Sequence, residues 1–387
     1  MYRCRIPFLV LALCAAATGL SCSPGYLLRA GIEESRILSR RRPIDAITRD
    51  PTTPDETRRK LRLVTAARDF AEHVLELDAG DSYTTYSPVD SDTLLLVVSG
   101  AYRDRFVPYT WWFPIVGRVP YKGFFDFDAA YREAAALEHE GFDSYVRPSG
   151  AFSTLGWFND PVLSTVLRYT DVGLVSTVIH EILHNTLFIP SQVAFNESLA
   201  SFVGDRGAID FFCSRDGDDT ATCREARDEW ADNLVFGAFL SRLVDDLESL
   251  YEREDLSSDE KVSRRERVFD GARARFRTDV LPMLRTRSFR TFADRPLNNA
   301  TLIGIRLYYR GLDRFEAAFH ACRDDLVATV HGIAAVTARR GGDAFVALEE
   351  LIAGGGNEDV CGTGRGRGRE ETPPPALALY PSIRPSP

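Results

Sequence analysis

The chain has 387 residues, enough for one large domain or two modest ones, and its 44% hydrophobic content can fill a globular core. A formal net charge of −9 offers no basic face overall and so argues against a nucleic-acid partner. The short runs Arg40-Arg41-Arg42 and Arg264-Arg265 read as solvated edges among acids.

At the start, Arg3 and Arg5 precede an apolar run from Phe8 to Ala17 that is short for a bilayer span, and small residues lead on to Gly19-Leu20-Ser21-Cys22. Residues 1–21 read as a signal peptide. The last four positions resemble a bacterial lipoprotein signal, with Gly19 where leucine is usual, so the expectation is an exported, periplasmic protein held to the cell-envelope membrane by a lipid on Cys22. Of seven cysteines, Cys4 and Cys14 leave with the signal, Cys22 would carry the lipid, and Cys213, Cys223, Cys322 and Cys361 remain. In an oxidising compartment an even number suggests two disulfides. Cys213 with Cys223 would close a short loop and Cys322 with Cys361 would tie the C-terminal end to a helix; three pairings are open to four cysteines. None of the four has the C-x-x-C spacing of a zinc site.

Tyr26 to Ser39 and Pro54 to Leu77 carry apolar residues at helical spacing, and Ser82 to Tyr86 follows as an extended piece. Leu94 to Val98 reads as a buried strand, and the aromatic run Trp111 to Phe125, punctuated by Gly and Pro, as part of a small antiparallel sheet. Phe127 to His139 returns to helix, and Ser144 to Arg147 and Ala151 to Phe158 read as further strands. Asn159-Asp160-Pro161 then makes a turn and N-cap for a short helix. Beyond it come helices over Leu174 to Leu187, Ala194 to Phe202, Ala226 to Glu252, Ser258 to Arg275, Asn298 through Phe315, Phe319 to Val336 and Asp343 to Ile352. Residues 362–387, Gly-Arg alternation followed by prolines, read as a disordered tail. The fold class expected is α+β and predominantly α-helical, with the small sheet packed on a helical metal-binding core.

Chemistry concentrates in Leu174 to Glu197. Leu174, Val175, Val178, Ile179, Ile182, Leu183 and Leu187 make a mostly buried helix, into which His180, Glu181 and His184 are set as H-E-x-x-H. Residues four apart stand one turn above each other, so both imidazoles can hold one Zn²⁺. Glu181 lies about a hundred degrees round the helix, within reach of a metal-bound water as general base. Two histidines leave a catalytic zinc one protein ligand short, and Glu197 in Phe195-Asn196-Glu197-Ser198 completes a His₂Glu set with an open fourth position. Ile189-Pro190-Ser191 and Gln192 break the helix between them. Burying such groups on an apolar helix is costly unless a metal or partners satisfy them.

Several stretches together resemble the family of predicted bacterial aminopeptidases, zinc proteins with a lipoprotein signal. They are Arg41 to Ile44, Ser82-Tyr83, Phe113 to Gly117, Tyr121 to Asp126, the long segment Ser153 to Leu163, His180 to His184, Phe195 to Ser198, and Asn298 to Ala300; Lys122 stands where arginine is common. The resemblance implies a gluzincin-like arrangement with His180, His184 and Glu197 on zinc and Glu181 catalytic. It supports peptidase chemistry more directly than exopeptidase specificity.

The function expected is hydrolysis of a peptide substrate through a water activated by one zinc ion, removing N-terminal residues. Tyr308, or Tyr309 beside it, is the candidate donor to the developing oxyanion. An edge at Ser153 to Phe158 could pair with an extended substrate, and Asp160 is a candidate for the substrate amine, with capping as its competing role. The rivals are an envelope metalloendopeptidase and a non-catalytic zinc-binding envelope lipoprotein; an intact Glu181 argues against the second. Residues 22–361 are expected to form one metallopeptidase domain, with a β-containing lobe at about 80–160 and a helical lobe at about 161–361.

Overall fold

The computed structural model describes residues 24–113, 117–149, 161–354 and 361. In chain order the elements are α1 (Pro24–Ser39), β1 (Arg42–Pro43), α2 (Ile44–Arg49), α3 (Asp55–His73), β2 (Thr85–Ser87), β3 (Leu95–Ala101), β4 (Trp111–Phe113), β5 (Gly117–Val119), β6 (Tyr121–Phe124), α4 (Phe127–His139), β7 (Asp143–Ser149) and β8 (Val162–Leu163). Then follow α5 (Asp171–Thr186), α6 (Val193–Asp216), α7 (Ala221–Tyr251), α8 (Ser258–Arg275), α9 (Asn299–Tyr309), α10 (Leu312–Ala321), α11 (Leu326–Arg340) and α12 (Ala344–Ala353). The fold is α+β and predominantly helical, as the sequence leads one to expect. No helix among the described residues is long and apolar enough to cross a membrane.

Among the described residues the strands form three small sheets. β6–β3–β7 is antiparallel throughout, β4 pairs with β5, and β1–β2–β8 is mixed, with β2 and β8 parallel. Every residue of β3 is buried, because α4 covers one face of its sheet and α9 the other. That accounts for its unbroken apolar run, the pattern of a strand covered on both sides.

α6 runs through the middle of the helical part and lies against α5, α7, α9 and α10. Its apolar residues point all round, and Phe195, Phe202 and Phe212 are fully buried, as a helix enclosed by others requires. It extends well beyond the Phe202 expected from sequence, because Gly204 and Gly207 do not break it. They are contact points where other elements come close.

Two helices expected to be continuous are interrupted. The one starting at Asn298 stops at Tyr309, and Gly311, at φ 65°, turns the chain into α10 with a conformation that costs glycine little. The one expected from Phe319 to Val336 breaks at residues 322–325, where Arg323 and Asp324 take φ of 62° and 59° and the Asp325 side chain caps α11. Both expected pairs of cysteines, Cys213–Cys223 and Cys322–Cys361, are disulfide-bonded.

Candidate metal centre

α5 begins at Thr170, whose hydroxyl accepts from the Gly173 amide at 3.0 Å. Asp171 in its first turn pairs with Arg59 at 2.6 Å and Lys60 at 2.7 Å, so α3 holds the start of the helix and a negative charge sits at its N-terminal dipole. Leu174, Val175, Val178, Ile179 and Ile182 are fully enclosed. This face fixes the rotation of the helix and turns His180 and His184 together, with ring centroids 5.0 Å apart.

The link to α6 is short and clamped. Ser191 takes φ 64°, and the buried Asn196 side chain makes two hydrogen bonds to one residue: it accepts from the Ile189 amide at 3.0 Å and donates to the Ile189 carbonyl at 2.8 Å. Glu197, the next residue, is thereby presented to α5. Its Oε2 lies 3.4 Å from His180 Nε2 and 3.9 Å from His184 Nε2. The three donor atoms fall within 4.8 Å of one another. Tetrahedral ligands on bonds of about 2.0–2.1 Å stand roughly 3.4 Å apart, so two neutral imidazoles and a carboxylate in this arrangement fit a single zinc. Glu181 is half-buried on the same turn of α5.

Electrostatics agree with a site built for a cation. Burial works against a charge on His180, yet the hydrogen bond it donates to Glu197 and the charges of Glu181 and Glu197 outweigh it and raise its pKa. His184 is pushed down to about 4 by burial and by its charged neighbour His180. For Glu197 burial favours the neutral acid, but His180, His184 and Arg147 overcome this and keep the carboxylate ionised. A divalent ion held by these three side chains would take the place of the proton that His180 otherwise shares with Glu197. The buried Nδ1 of His184 has no hydrogen-bond partner among the described residues.

Close approach of the two helices depends on Gly204. A Cβ there would lie 2.7 Å from the Ser176 carbonyl oxygen and 3.2 Å from His180 Cβ. One residue on, the half-buried Asp205 accepts from the Ser176 hydroxyl at 2.6 Å and from Asn233 at 2.7 Å, which joins α5, α6 and α7 behind His180. Burial holds the pKa of this carboxyl above its ordinary value, against those two bonds.

A second pair faces the histidines. The ring of Tyr308, near the end of α9, lies 6.3 Å from that of His180, and its hydroxyl accepts from Arg147 Nη2 on β7 at 3.1 Å. Burial first, then the charge of Glu197, pushes this phenol up to about 12, so it stays a donor at neutral pH. Tyr309, the alternative, turns the other way and packs edge-on to Phe236 and Phe289. Tyr121, at the start of β6, is half-buried near the same groups, with desolvation and the charge of Glu197 raising its pKa.

The register of Tyr308 on Arg147 is set far from the two histidines. At the start of α9 the Asn298 side chain caps Thr301 and donates to the Ser144 carbonyl, while the Asn299 amide donates to Asp143. Asp143 in turn receives two bonds from the buried Arg265 at 2.7 and 2.9 Å. From there helix and strand run side by side, with Gly304 allowing Tyr145 against the helix backbone. Nine helical residues rise about 13.5 Å and four strand residues about 13 Å, so Tyr308 arrives level with Arg147. The other end of α9 is tied to α6 beside Glu197, since the Ser198 hydroxyl donates to the Leu307 carbonyl at 2.9 Å and accepts from the Arg310 amide at 3.1 Å.

The structure therefore gathers His180, His184, Glu197, Glu181 and Tyr308. Trp157, Phe158, Asp160 and the proposed edge at Ser153 to Phe158 lie outside the described residues. Arg147, Tyr121 and Asp205 escape a reading of the sequence. The signal for Arg147 is a lone cation in a half-buried strand next to an aromatic-rich sheet.

A family model described as "Putative aminopeptidase" matches residues 25–341. No curated protein and no solved structure matches the chain.

Proposed function

We propose a function from one premise: the chain belongs to the family described as "Putative aminopeptidase". It is a peptidase-like hydrolase, and our reading of the finer chemistry is a zinc-dependent one, with a single ion held by His180, His184 and Glu197. The observation that carries it is one carboxylate oxygen placed 3.4 and 3.9 Å from two imidazole nitrogens, beside a glutamate on the same helical turn. Zinc, when bound, supplies a more acidic water and an electrophile for the scissile carbonyl. Glu181 takes the proton from the attacking water and delivers it to the leaving amine. Tyr308, aimed by Arg147, donates to the carbonyl oxygen as negative charge gathers there.

Removal of N-terminal residues is the specificity we favour, on the family description. Two disulfides support an oxidising compartment, in keeping with export and a lipid on Cys22. The test is metal analysis of the mature protein together with hydrolysis of aminoacyl-arylamides against internally quenched peptides. One zinc per chain and cleavage of the arylamides are expected. Cleavage of quenched peptides alone would make it an endopeptidase, and zinc without any turnover a binding protein.

A further inference from the structure

Tyr308 and Arg147 also line a cavity of about 390 Å³ between α7, α9 and residues 288–295. Its floor is aromatic: Phe236 and Phe289 stack with centroids 4.0 Å apart, and Tyr309 meets both edge-on. Its charged lining consists of Arg147 and Arg295, with no carboxylate among the described lining residues. In a chain of net charge −9 that is a local reversal of sign. Arg147 is committed to the Tyr308 hydroxyl through Nη2, while its buried Nε has no partner among the described residues. Arg295 is exposed at the rim and donates to the Thr291 hydroxyl at a long 3.3 Å.

The wall carrying Arg295 is held firmly. Asp232 is fully buried and accepts from the amides of Arg285 and Thr286 and from the Thr286 hydroxyl at 2.7–2.8 Å. Phe289 is kept at φ 60°, a conformation a side chain of its size rarely takes, and this places its ring flat on Phe236. A rigid apolar floor under two guanidiniums suits a ligand with an apolar body and an anionic end. Guanidinium recognises carboxylate through paired charge-assisted hydrogen bonds.

We propose that this cavity is a carboxylate-binding subsite of the peptidase. It takes a substrate carboxylate on Arg295, in the field of Arg147, with the neighbouring side chain on Phe289, whose ring Phe236 supports from below. The substrate class is then short peptides carrying a free carboxylate close to the scissile bond, because Arg147 and Tyr308 belong both to this cavity and to the metal centre. The carboxylate has two sources, the C-terminus of the peptide or an acidic side chain. The inference rests on the peptidase reading for its substrate but not for the binding itself.

The experiment has a kinetic and a binding part, both on the zinc-loaded mature chain. Phe-Ala is compared with Phe-Ala-amide for a terminal carboxylate, and Phe-Glu-amide with Phe-Gln-amide for a side-chain one. The expected result is a kcat/KM at least about tenfold higher for the acid of one pair, and that pair names the source. Arg295→Gln should bring the ratio close to one, and Arg295→Glu should invert it. A ratio near one in both pairs for the unaltered protein, or one that Arg295→Gln leaves in place, overturns the proposal. Independently, calorimetry with 3-phenylpropionate and 3-phenylpropionamide should show binding of the acid alone, lost in Arg295→Gln. If no peptide is cleaved, the peptidase reading fails and calorimetry decides the subsite: acid-selective binding sustains it, equal or absent binding removes it.

Discussion

His180, His184 and Glu197 meet on one helical hairpin, α5 and α6, closed by a loop that a single asparagine clamps. Arg147 and Tyr308, across from them, come from positions 161 residues apart and meet only because β7 and α9 start from a shared anchor at Asp143 and Asn299. One half of the candidate site is thus local and short, the other remote and dependent on a buried network. The difference implies a division of labour that can be tested: the hairpin should govern whether metal is held, and the strand–helix pair how well the held metal is used.

The largest effects should come from the hairpin itself. Glu197→Gln weakens one ligand and is expected to lower the metal content of dialysed protein from one zinc per chain towards none. Glu181→Gln should retain the zinc and lose about 10²–10⁴-fold in kcat. Elemental analysis beside turnover on one substrate separates the two. Retained activity in Glu181→Gln would remove that residue from the mechanism, and unchanged zinc in Glu197→Gln would dissolve the proposed ligand set.

Next in size is a break in the remote half. Asp143→Ala leaves Arg265 buried without its carboxylate, and removal of one member of such a pair costs about 3–5 kcal/mol. Urea unfolding measures that loss. Under conditions where the variant stays folded, zinc content should hold while kcat falls, because α9 loses its register against Arg147. Loss of zinc in proportion to activity would mean that the two halves are not separable.

The same contrast explains what a reader of the sequence can and cannot see. His180, Glu181 and His184 announce themselves because helical spacing converts four positions of sequence into one direction in space. Glu197 follows because a broken helix and a short loop leave few places for a third ligand. Nothing local marks Arg147, since its role exists only once Asn299 has fixed a helix beside its strand. Gly204 and Gly207 are silent for a related reason, because only the neighbouring elements reveal what the space left by a missing Cβ admits. Gly311 is the reverse case, a true break that the apolar spacing through Leu307 and Phe315 conceals.

Those glycines offer a finer test within the hairpin. Gly204→Ala would set a methyl 2.7 Å from the backbone oxygen of Ser176, which cannot move without moving the turn that carries His180. An overpacking loss of about 1–3 kcal/mol is expected, with weaker zinc binding in a competition with a chromogenic chelator. Gly207→Ala meets the side-chain ends of Ile179 and Leu75 at 2.9 and 3.0 Å, which can shift, so it should destabilise less and leave zinc affinity nearer that of the unaltered protein. Equal effects of the two on zinc would show that helix separation, rather than the position of His180, sets affinity.

The smallest effect lies at the far end of α5, where Asp171 joins the hairpin to α3. Its pKa is held at about 2, chiefly by the hydrogen bond from Arg59, with burial opposing and Lys60 helping. A carboxyl whose folded pKa is depressed adds stability that is present above its unfolded value, near 4, and is lost as the pH falls towards 2. Arg59 is about half exposed, at 48%, so solvent screens the pair and the contribution is about 1–2 kcal/mol, short of the full shift. Asp171→Asn should therefore be less stable than the unaltered protein by that amount at pH 7 in urea unfolding. At pH 2.5 the gap should shrink to less than half. Because the change is made more than two helical turns from His180, zinc content at pH 7 should stay at one per chain. A gap that is constant from pH 7 to pH 2.5 would assign the effect to lost packing or capping at Asp171 instead of to its charge.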